Sequence, residues 1–144
     1  MKKNLEASPL SALRLAHARL LADLRDLEEA ASEPAGPGDA GLVGRLTATQ
    51  THITDHFRFE EKDGYFDSIR NREPRLERAI EHLAEEHRKM AAALDAIVRE
   101  AKTGKPTENF RREIKEWVAS VRDHEARENK LAQDAFNQDS TAED

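Results

Sequence analysis

Two short segments, in which the histidine lies on the apolar stripe of a predicted helix, have the pattern His-x-x-x-Glu. The segment HFRFE contains His56 and Glu60, and the segment HEARE contains His124 and Glu128. Because four residues make about one helical turn, each histidine lies close to its glutamate on one stripe of a helix. Imidazole nitrogens and carboxylate oxygens are ligands that several transition metals accept. The pattern therefore indicates a metal site wherever two such helices face each other.

Two further histidines turn the pattern into a weak internal repeat. His17 lies 39 residues before His56, and His87 lies 37 residues before His124. Each half of the sequence thus contributes a lone histidine followed by His-x-x-x-Glu. We predict that the four histidines and the two glutamates lie together in the fold.

The elements that must position these residues are helices. Charged residues make up 36% of the chain and aromatic residues 5%, and the β-branched residues are too scattered for a sheet. Proline and glycine mark the ends of four segments, and Gly64 is expected to kink or shorten the second. Short connections between long helices predict an all-α fold, an antiparallel up-down-up-down four-helix bundle. The predicted helices span residues 9–31, 39–70, 74–103 and 107–137.

The helix lengths place the four histidines in one layer. At 1.5 Å per residue, His17 lies about 21 Å from the end of the first helix and His56 about 25 Å from the start of the second. The corresponding distances at the next two connections are about 20 and 20 Å, and about 24 and 25 Å. The distances match at every connection, so the histidines should meet at one height in the bundle.

Composition limits the kind of protein. The 144 residues are enough for one domain, expected over residues 1–137, followed by a disordered acidic tail over residues 138–144. A net charge of −6 argues against nucleic acid or an anionic membrane as a partner. With no cysteine, disulfides and metal–thiolate sites are excluded. No apolar run approaches 18 residues, so we expect a cytoplasmic protein.

Burying this many ionisable groups requires compensation. Each buried ionised carboxylate would cost several kcal/mol if nothing offset it. One offset is a network of His–Glu hydrogen bonds, and the other is a pair of metal ions. Ligation by nitrogen and oxygen without sulfur favours iron or manganese, although zinc and copper also accept imidazole. A ferritin-like site is excluded, because it uses Glu-x-x-His and no histidine here has a glutamate three residues before it.

The residues resemble a known family over nearly the whole chain, residues 10–136. HFRFEEKDGYF and REPRLERAIEHLAEEHRKM are similar to the second and third helices of the hemerythrin-like (HHE cation-binding) proteins, and HEARENKL is similar to the fourth. The resemblance implies two irons per chain, joined by an oxo or hydroxo bridge, with Glu60 and Glu128 as bridging carboxylates. It also implies that the metal ligands are His17, His56, Glu60, His87, His124 and Glu128.

The sequence departs from the oxygen-carrying hemerythrins at one position. Those proteins have another histidine one turn before the one matched by His87, and here that position is Leu83. His52, one turn before His56, is a possible additional ligand or a hydrogen-bonded core histidine, whereas His82 should face a flank. Unless His52 fills a position, both irons would stay open, and we expect rapid autoxidation rather than reversible oxygen carriage.

Residues beside the proposed ligands have simpler expected roles. Glu61 and Glu86 point about 100° away from the stripe, so they should be solvated or should contact the ligands from outside. The larger aromatic residues are expected to pack the core, with a phenyl wall around a small-ligand pocket as the alternative; they are Phe57, Phe59, Phe66 and Trp117.

The resemblance points to binding or sensing of a small diatomic or peroxide ligand, such as O2, NO or peroxide. Enzymatic activity stays open, since the sequence has no catalytic-triad or cofactor motif and only weak peroxide or NO chemistry is expected. Two alternatives remain: iron sensing or storage without ligand chemistry, and a structural interaction bundle with a polar core layer. The sequence does not predict an oligomeric state.

Overall fold

The computed structural model describes residues 9–33, 39–104 and 106–143, and for residues 9–10, 39–40 and 137–143 it describes the backbone alone. Within these ranges the chain is helical and contains no strand, which confirms the all-α prediction. No helix in the described ranges is both long and apolar enough to cross a membrane. The helices are α1 (Pro9–Ser32), α2 (Asp39–Glu61), α3 (Tyr65–Arg72), α4 (Glu77–Thr103) and α5 (Glu108–Glu143), with a 3-10 turn at Pro74–Leu76.

The predicted helices 9–31, 74–103 and 107–137 correspond to α1, α4 and α5. Helix α4 ends at Thr103, as the sequence predicted, with Gly104 directly after it, and the 3-10 turn at Pro74–Leu76 leads into its first residue. Residues 34–38 of the predicted loop lie outside the described residues. Residue 144 also lies outside them, and residues 138–143 are described by backbone alone, so the division into a domain and a disordered tail stays a prediction.

A single helix over residues 39–70 was the wrong prediction. Helix α2 ends at Glu61, and α3 begins at Tyr65 after a short turn. Gly64 in this turn has φ 98° and ψ 0°, a left-handed conformation that glycine adopts without steric cost. The expected shortening at Gly64 is therefore a complete break, after which α3 packs against α2, α4 and α5.

The four long helices pack in a ring. Helix α1 packs against α2 and α5, and α4 also packs against α2 and α5. Arg111 of α5 donates hydrogen bonds from Nη1 to the carbonyl oxygens of Ala30 and Glu33, at 3.2 and 2.8 Å. A cation at a helix C-terminus satisfies carbonyl groups that have no partner within the helix. This contact holds the end of α1 against α5.

Two apolar clusters fill the bundle, and a polar layer separates them. Along α1, Leu13 belongs to one cluster and Leu20 to the other, and His17 lies between them. Along α4, Leu83 and Met90 flank His87 in the same way. The polar layer is thus closed off along the bundle axis by packed side chains.

Candidate metal centre

The four predicted histidines come together in the polar layer and form two pairs. All four side chains are buried. The ring centroids of His17 and His56 lie 5.3 Å apart, and those of His87 and His124 lie 4.9 Å apart. We call these the His17–His56 pair and the His87–His124 pair. Each pair presents its Nε2 atoms to the same interior space.

Glu60 lies between the two pairs with one oxygen toward each. Its Oε2 is 3.2 Å from Nε2 of His56, and its Oε1 is 3.1 Å from Nε2 of His87. The Glu60 side chain is completely buried. One carboxylate therefore serves histidines of both pairs.

Glu128 has the same arrangement from the opposite helix. Its Oε1 is 2.8 Å from Nε2 of His17, and its Oε2 is 3.3 Å from Nε2 of His124. It is also completely buried. We call Glu60 and Glu128 the shared carboxylates, because each has one oxygen on either side of the layer.

A third buried carboxylate, Glu125, was missed in the sequence. Its Oε1 is 2.9 Å from Nε2 of His17 and 3.3 Å from Nε2 of His56, and 3% of the residue is exposed. Glu125 follows His124 directly, so a helix turns it about 100° away from the His-x-x-x-Glu stripe. The first Glu of HEARE, read together with the position of α1, was the available signal.

Many polar atoms of this layer have no hydrogen-bond partner among the described residues, although they lie at ion-pair distances from one another. Burying a polar group without a partner costs free energy. Cations bound in this layer would supply the missing partners. These atoms are Nε2 of His56, His87 and His124, both oxygens of Glu60 and of Glu125, and Oε2 of Glu128.

The donor atoms fall into two sets compact enough to bind an ion. The atoms of each set lie within 4.8 Å of one another, and both sets include Glu128. Nitrogen and carboxylate donors without sulfur fit a transition metal such as iron. The two sets are His17, His56, Glu125 and Glu128, and His87, His124 and Glu128. Glu60 is outside both sets, although it contacts a histidine of each pair.

The carboxylates make the imidazoles strongly basic. Burial alone would lower the pKa of His17, but the neighbouring carboxylates, first that of Glu125, raise it to about 11. The same opposition raises the pKa of His56 to about 12 and that of His87 to about 10. These three imidazoles are therefore protonated at neutral pH unless a metal ion replaces the protons.

The shared carboxylates differ from each other in acidity. Burial, and then the charge of Glu128, raise the pKa of Glu60. Burial also opposes ionisation of Glu128, but contacts with Glu60 and the imidazoles lower its pKa well below the ordinary value. Glu60 therefore holds a proton more readily than Glu128, which is ionised. A cation bound between the two carboxylates would displace that proton.

Two outer carboxylates hold the imidazoles of the His87–His124 pair. Nδ1 of His87 lies 2.5 Å from Oε2 of Glu61, and Nδ1 of His124 lies 2.6 Å from Oε1 of Glu86. Arg127 donates a hydrogen bond to Glu86 at 2.9 Å. Such outer partners orient a ligating imidazole, leaving its Nε2 free for a metal. Glu61 and Glu86 therefore contact proposed ligands from outside.

The structure does not bring His52 or His82 into the layer. The His52 side chain is 54% exposed, and its Nδ1 lies 2.7 Å from Oδ2 of Asp23 on α1. The more exposed His82 lies 3.5 Å from Glu86 on the outside of α4. His52, proposed as a possible additional ligand, instead connects α1 and α2 at the surface.

Aromatic side chains cover the His87–His124 pair. The Phe57 ring stacks on His87 with centroids 3.8 Å apart, and Phe66 stacks on the same imidazole at 5.8 Å. Leu83 is buried one turn before His87. Tyr65, on α3, has a buried hydroxyl without a partner among the described residues, and burial raises its pKa.

Each pair is reached by a groove from the surface. A groove of about 630 Å³ between α1 and α2 reaches His56 and is lined in part by Ala12, Ala16 and Phe59. A smaller groove of about 300 Å³ between α4 and α5 reaches His124. The grooves therefore adjoin the layer on two sides of the bundle.

A family model for the hemerythrin HHE cation-binding domain matches residues 8–135. The chain belongs to this family. Neither the comparison with curated proteins nor that with solved structures gives a significant match. The resemblance inferred from the sequence is confirmed, and the buried His/Glu layer of this hemerythrin-like chain contains two groups of residues that could hold a metal ion.

Proposed function

We propose that this hemerythrin-like protein holds two irons, one at each imidazole pair, and binds a small ligand such as O2, NO or peroxide. In this proposal the shared carboxylates would hold both irons, which would also be joined by an oxo or hydroxo group. The observation that carries this proposal is the position of Glu60 and Glu128, each with one oxygen toward either pair. Carboxylates placed in this way suit two ions rather than one.

The proposed topology is the antiparallel up-down-up-down bundle. On α1 and α2, Asp23 contacts His52 whereas His17 contacts Glu60, so contacting residues follow opposite orders along the two helices. The contacts between α2 and α4 also follow opposite orders, since Gln50 contacts Asp95 and Glu61 contacts His87. The same holds between α4 and α5, where Glu86 contacts His124 and Met90 contacts Trp117.

Iron is the proposed metal because every donor in the layer is an imidazole nitrogen or a carboxylate oxygen. Bound iron would supply an electrophilic, redox-active centre. The chain's own residues hold the imidazole Nε2 atoms inward, through Glu61 and Glu86 at one pair, and exclude bulk water with packed side chains. Zinc or manganese would accept the same donor types, so the donor types alone do not select iron.

A small ligand is proposed because packed apolar side chains lie against the His87–His124 pair. Phe57 and Phe66 stack on His87, and Leu83 lies one turn away. Close-packed interiors leave few voids larger than a water molecule, so a small molecule fits beside these side chains more readily than a large one. This supports O2, NO or a peroxide over a larger organic substrate.

Elemental analysis and visible spectroscopy test the proposal together. Protein purified without added metal should contain about two irons per chain and show oxo-bridge charge-transfer bands that change with azide or NO. One tightly bound zinc without a second ion would contradict the di-iron assignment. Iron without any response to azide or NO would favour iron sensing or storage instead.

A further inference from the structure

The third carboxylate, Glu125, contacts one imidazole pair and not the two together. Its Oε1 lies within 3.3 Å of both Nε2 atoms of the His17–His56 pair. Neither of its oxygens has a hydrogen-bond partner among the described residues. A carboxylate that is 97% buried and lacks such partners requires compensation by a positive charge.

Two imidazoles and one carboxylate form a recognised metal-binding set. Non-heme iron sites commonly consist of two histidines and one carboxylate, with further positions left to other ligands. This set is present without either shared carboxylate, and its members are His17, His56 and Glu125. The compact set at the other pair contains no carboxylate of its own, since His87 and His124 are joined there only by Glu128.

The internal repeat shows why the two pairs differ. In HFRFE the residue after the histidine is Phe57, and in HEARE it is Glu125. Phe57 lies against the other half's pair, with ring centroids 3.8 Å from His87 and 6.4 Å from His124. Glu125 likewise lies against the pair contributed by the first half of the chain. One repeat position thus supplies a phenyl ring to one pair and a carboxylate to the other.

We propose that Glu125 is a ligand of the ion at the His17–His56 pair, which leaves the ion at the His87–His124 pair as the one that accepts a small ligand. This inference rests on the proposed two-metal site. It replaces the expectation that both ions stay open, and it gives Glu125 the role considered for His52 in the sequence. The wider groove reaches His56, but access alone does not create a free coordination position there.

Cobalt titration of metal-free protein tests the first part of the inference. Unaltered protein should bind two Co²⁺ ions, and Glu125→Gln should weaken one of them by at least about tenfold. The Co²⁺ absorption spectrum should change for that ion alone. Glu113→Gln, an exposed position on the same helix, is the matched control and should change neither ion.

Combining variants assigns the affected ion. In a His17→Gln background, which already weakens the ion at the His17–His56 pair, Glu125→Gln should leave the remaining tight ion unchanged. In a His87→Gln background, Glu125→Gln should weaken the remaining tight ion. The opposite pattern would overturn the assignment of Glu125 to the His17–His56 pair.

Azide titration of the iron-loaded protein tests the second part. Unaltered protein should bind one azide per chain, and Glu125→Gln, which frees a position at the other ion, should bind two. Two azides on unaltered protein would overturn the inference, as would unchanged affinities for both Co²⁺ ions in Glu125→Gln.

Two further outcomes separate the possible failures. If Glu125 acted only as an ion-pair partner of protonated His17, Glu125→Gln would lower the melting temperature of metal-free protein and leave both Co²⁺ affinities unchanged, which overturns the inference. If Glu125→Gln does not fold, Glu125→Asp, with the carboxylate withdrawn by one methylene, must weaken one ion. An unaltered protein that binds no second ion would instead contradict the proposed function.

Discussion

The carboxylates beside the two imidazole pairs contact different nitrogen atoms. At the His17–His56 pair the extra carboxylate is Glu125, which points at the Nε2 atoms themselves. At the His87–His124 pair the additional carboxylates are outside, on the Nδ1 atoms. At the first pair the carboxylate lies where it could bind a metal directly. At the second pair the carboxylates contact the imidazoles from outside and only orient and polarise them.

The contrast extends to the unused nitrogen atoms. Nδ1 of His56 is buried and has no hydrogen-bond partner among the described residues, whereas Nδ1 of His87 is held by Glu61. An imidazole without an outer partner is a weaker and less firmly oriented ligand. A direct carboxylate from Glu125 offsets that loss at the first pair. Similar halves of one sequence therefore reach charge balance by two different arrangements.

Removing a shared carboxylate should erase the difference between the pairs, because both depend on it. Glu128 contacts Nε2 of His17 at 2.8 Å and of His124 at 3.3 Å. We expect Glu128→Gln to lose both ions, whereas Glu125→Gln loses or weakens only one. Elemental analysis after dialysis measures the outcome. Retention of one tight ion in Glu128→Gln would show that the pairs do not share this carboxylate.

Giving both pairs a carboxylate should close the second ion to ligands. Phe57 occupies the repeat position of Glu125 and stacks on His87. We expect Phe57→Glu to bind both ions at least as tightly as unaltered protein and to lose most of its azide response. The absorbance change on azide titration measures this. Phe57→Leu, which removes the ring without adding a ligand, should keep the response; loss of the response in both variants would mean that packing alone is responsible.

Stability against pH should separate metal-free from metal-loaded protein. In the folded metal-free form the pKa values of His17, His56 and His87 are about 11, 12 and 10, above the value of about 6.5 expected for an unfolded chain. The folded state then binds more protons, so the stabilisation is complete below pH 6.5 and is lost as the pH rises through 10 to 12.

Urea unfolding at several pH values measures this effect. The metal-free protein should lose stability steadily above about pH 6.5. The metal-loaded protein should lack this decline, because metal ligation requires deprotonated imidazoles and is favoured by rising pH. Parallel declines in the two forms would mean that metal does not replace protons on these imidazoles.

The sequence was sufficient to predict the position of the polar layer. At the first and third connections, matching helix lengths place His17 level with His56 and His87 level with His124. At the second connection the expected match assumed a helix to residue 70, whereas α2 ends at Glu61 and the chain returns through α3 and the 3-10 turn. The two imidazole pairs still meet, since Glu60 contacts a histidine of each. The predicted helix over 39–70 failed because periodicity does not show where a glycine ends a helix, and Gly64 takes up a left-handed conformation.

One side chain that sequence reasoning misplaced, His52, and one that it missed, Glu125, depend on helix rotation. Ile53 takes the buried position on α2, and His52 lies about 100° from it and faces Asp23 at the surface. Glu125 is off the stripe of α5 by the same angle, yet α1 lies on that side and encloses it. Which neighbour covers the flank of a helix follows from packing, so spacing within one segment did not reveal it.

The smallest expected effect comes from the outer carboxylate of the His87–His124 pair. Glu86 accepts a hydrogen bond from Nδ1 of His124 and is itself held by Arg127. Loss of such an outer partner typically costs about 10- to 100-fold in metal affinity. Because Glu86 is partly exposed, we expect Glu86→Gln to lie at the lower end, about tenfold, and to affect only the ion at this pair. Competition with a chelator during Co²⁺ titration measures the change.

His52→Gln is the control for this prediction. His52 forms a similar imidazole–carboxylate contact with Asp23 at the surface, so its replacement should alter the affinity for neither ion. Equal weakening of both ions by Glu86→Gln would indicate a general loosening of the bundle, and the two pairs would then not differ in the way their outer contacts suggest.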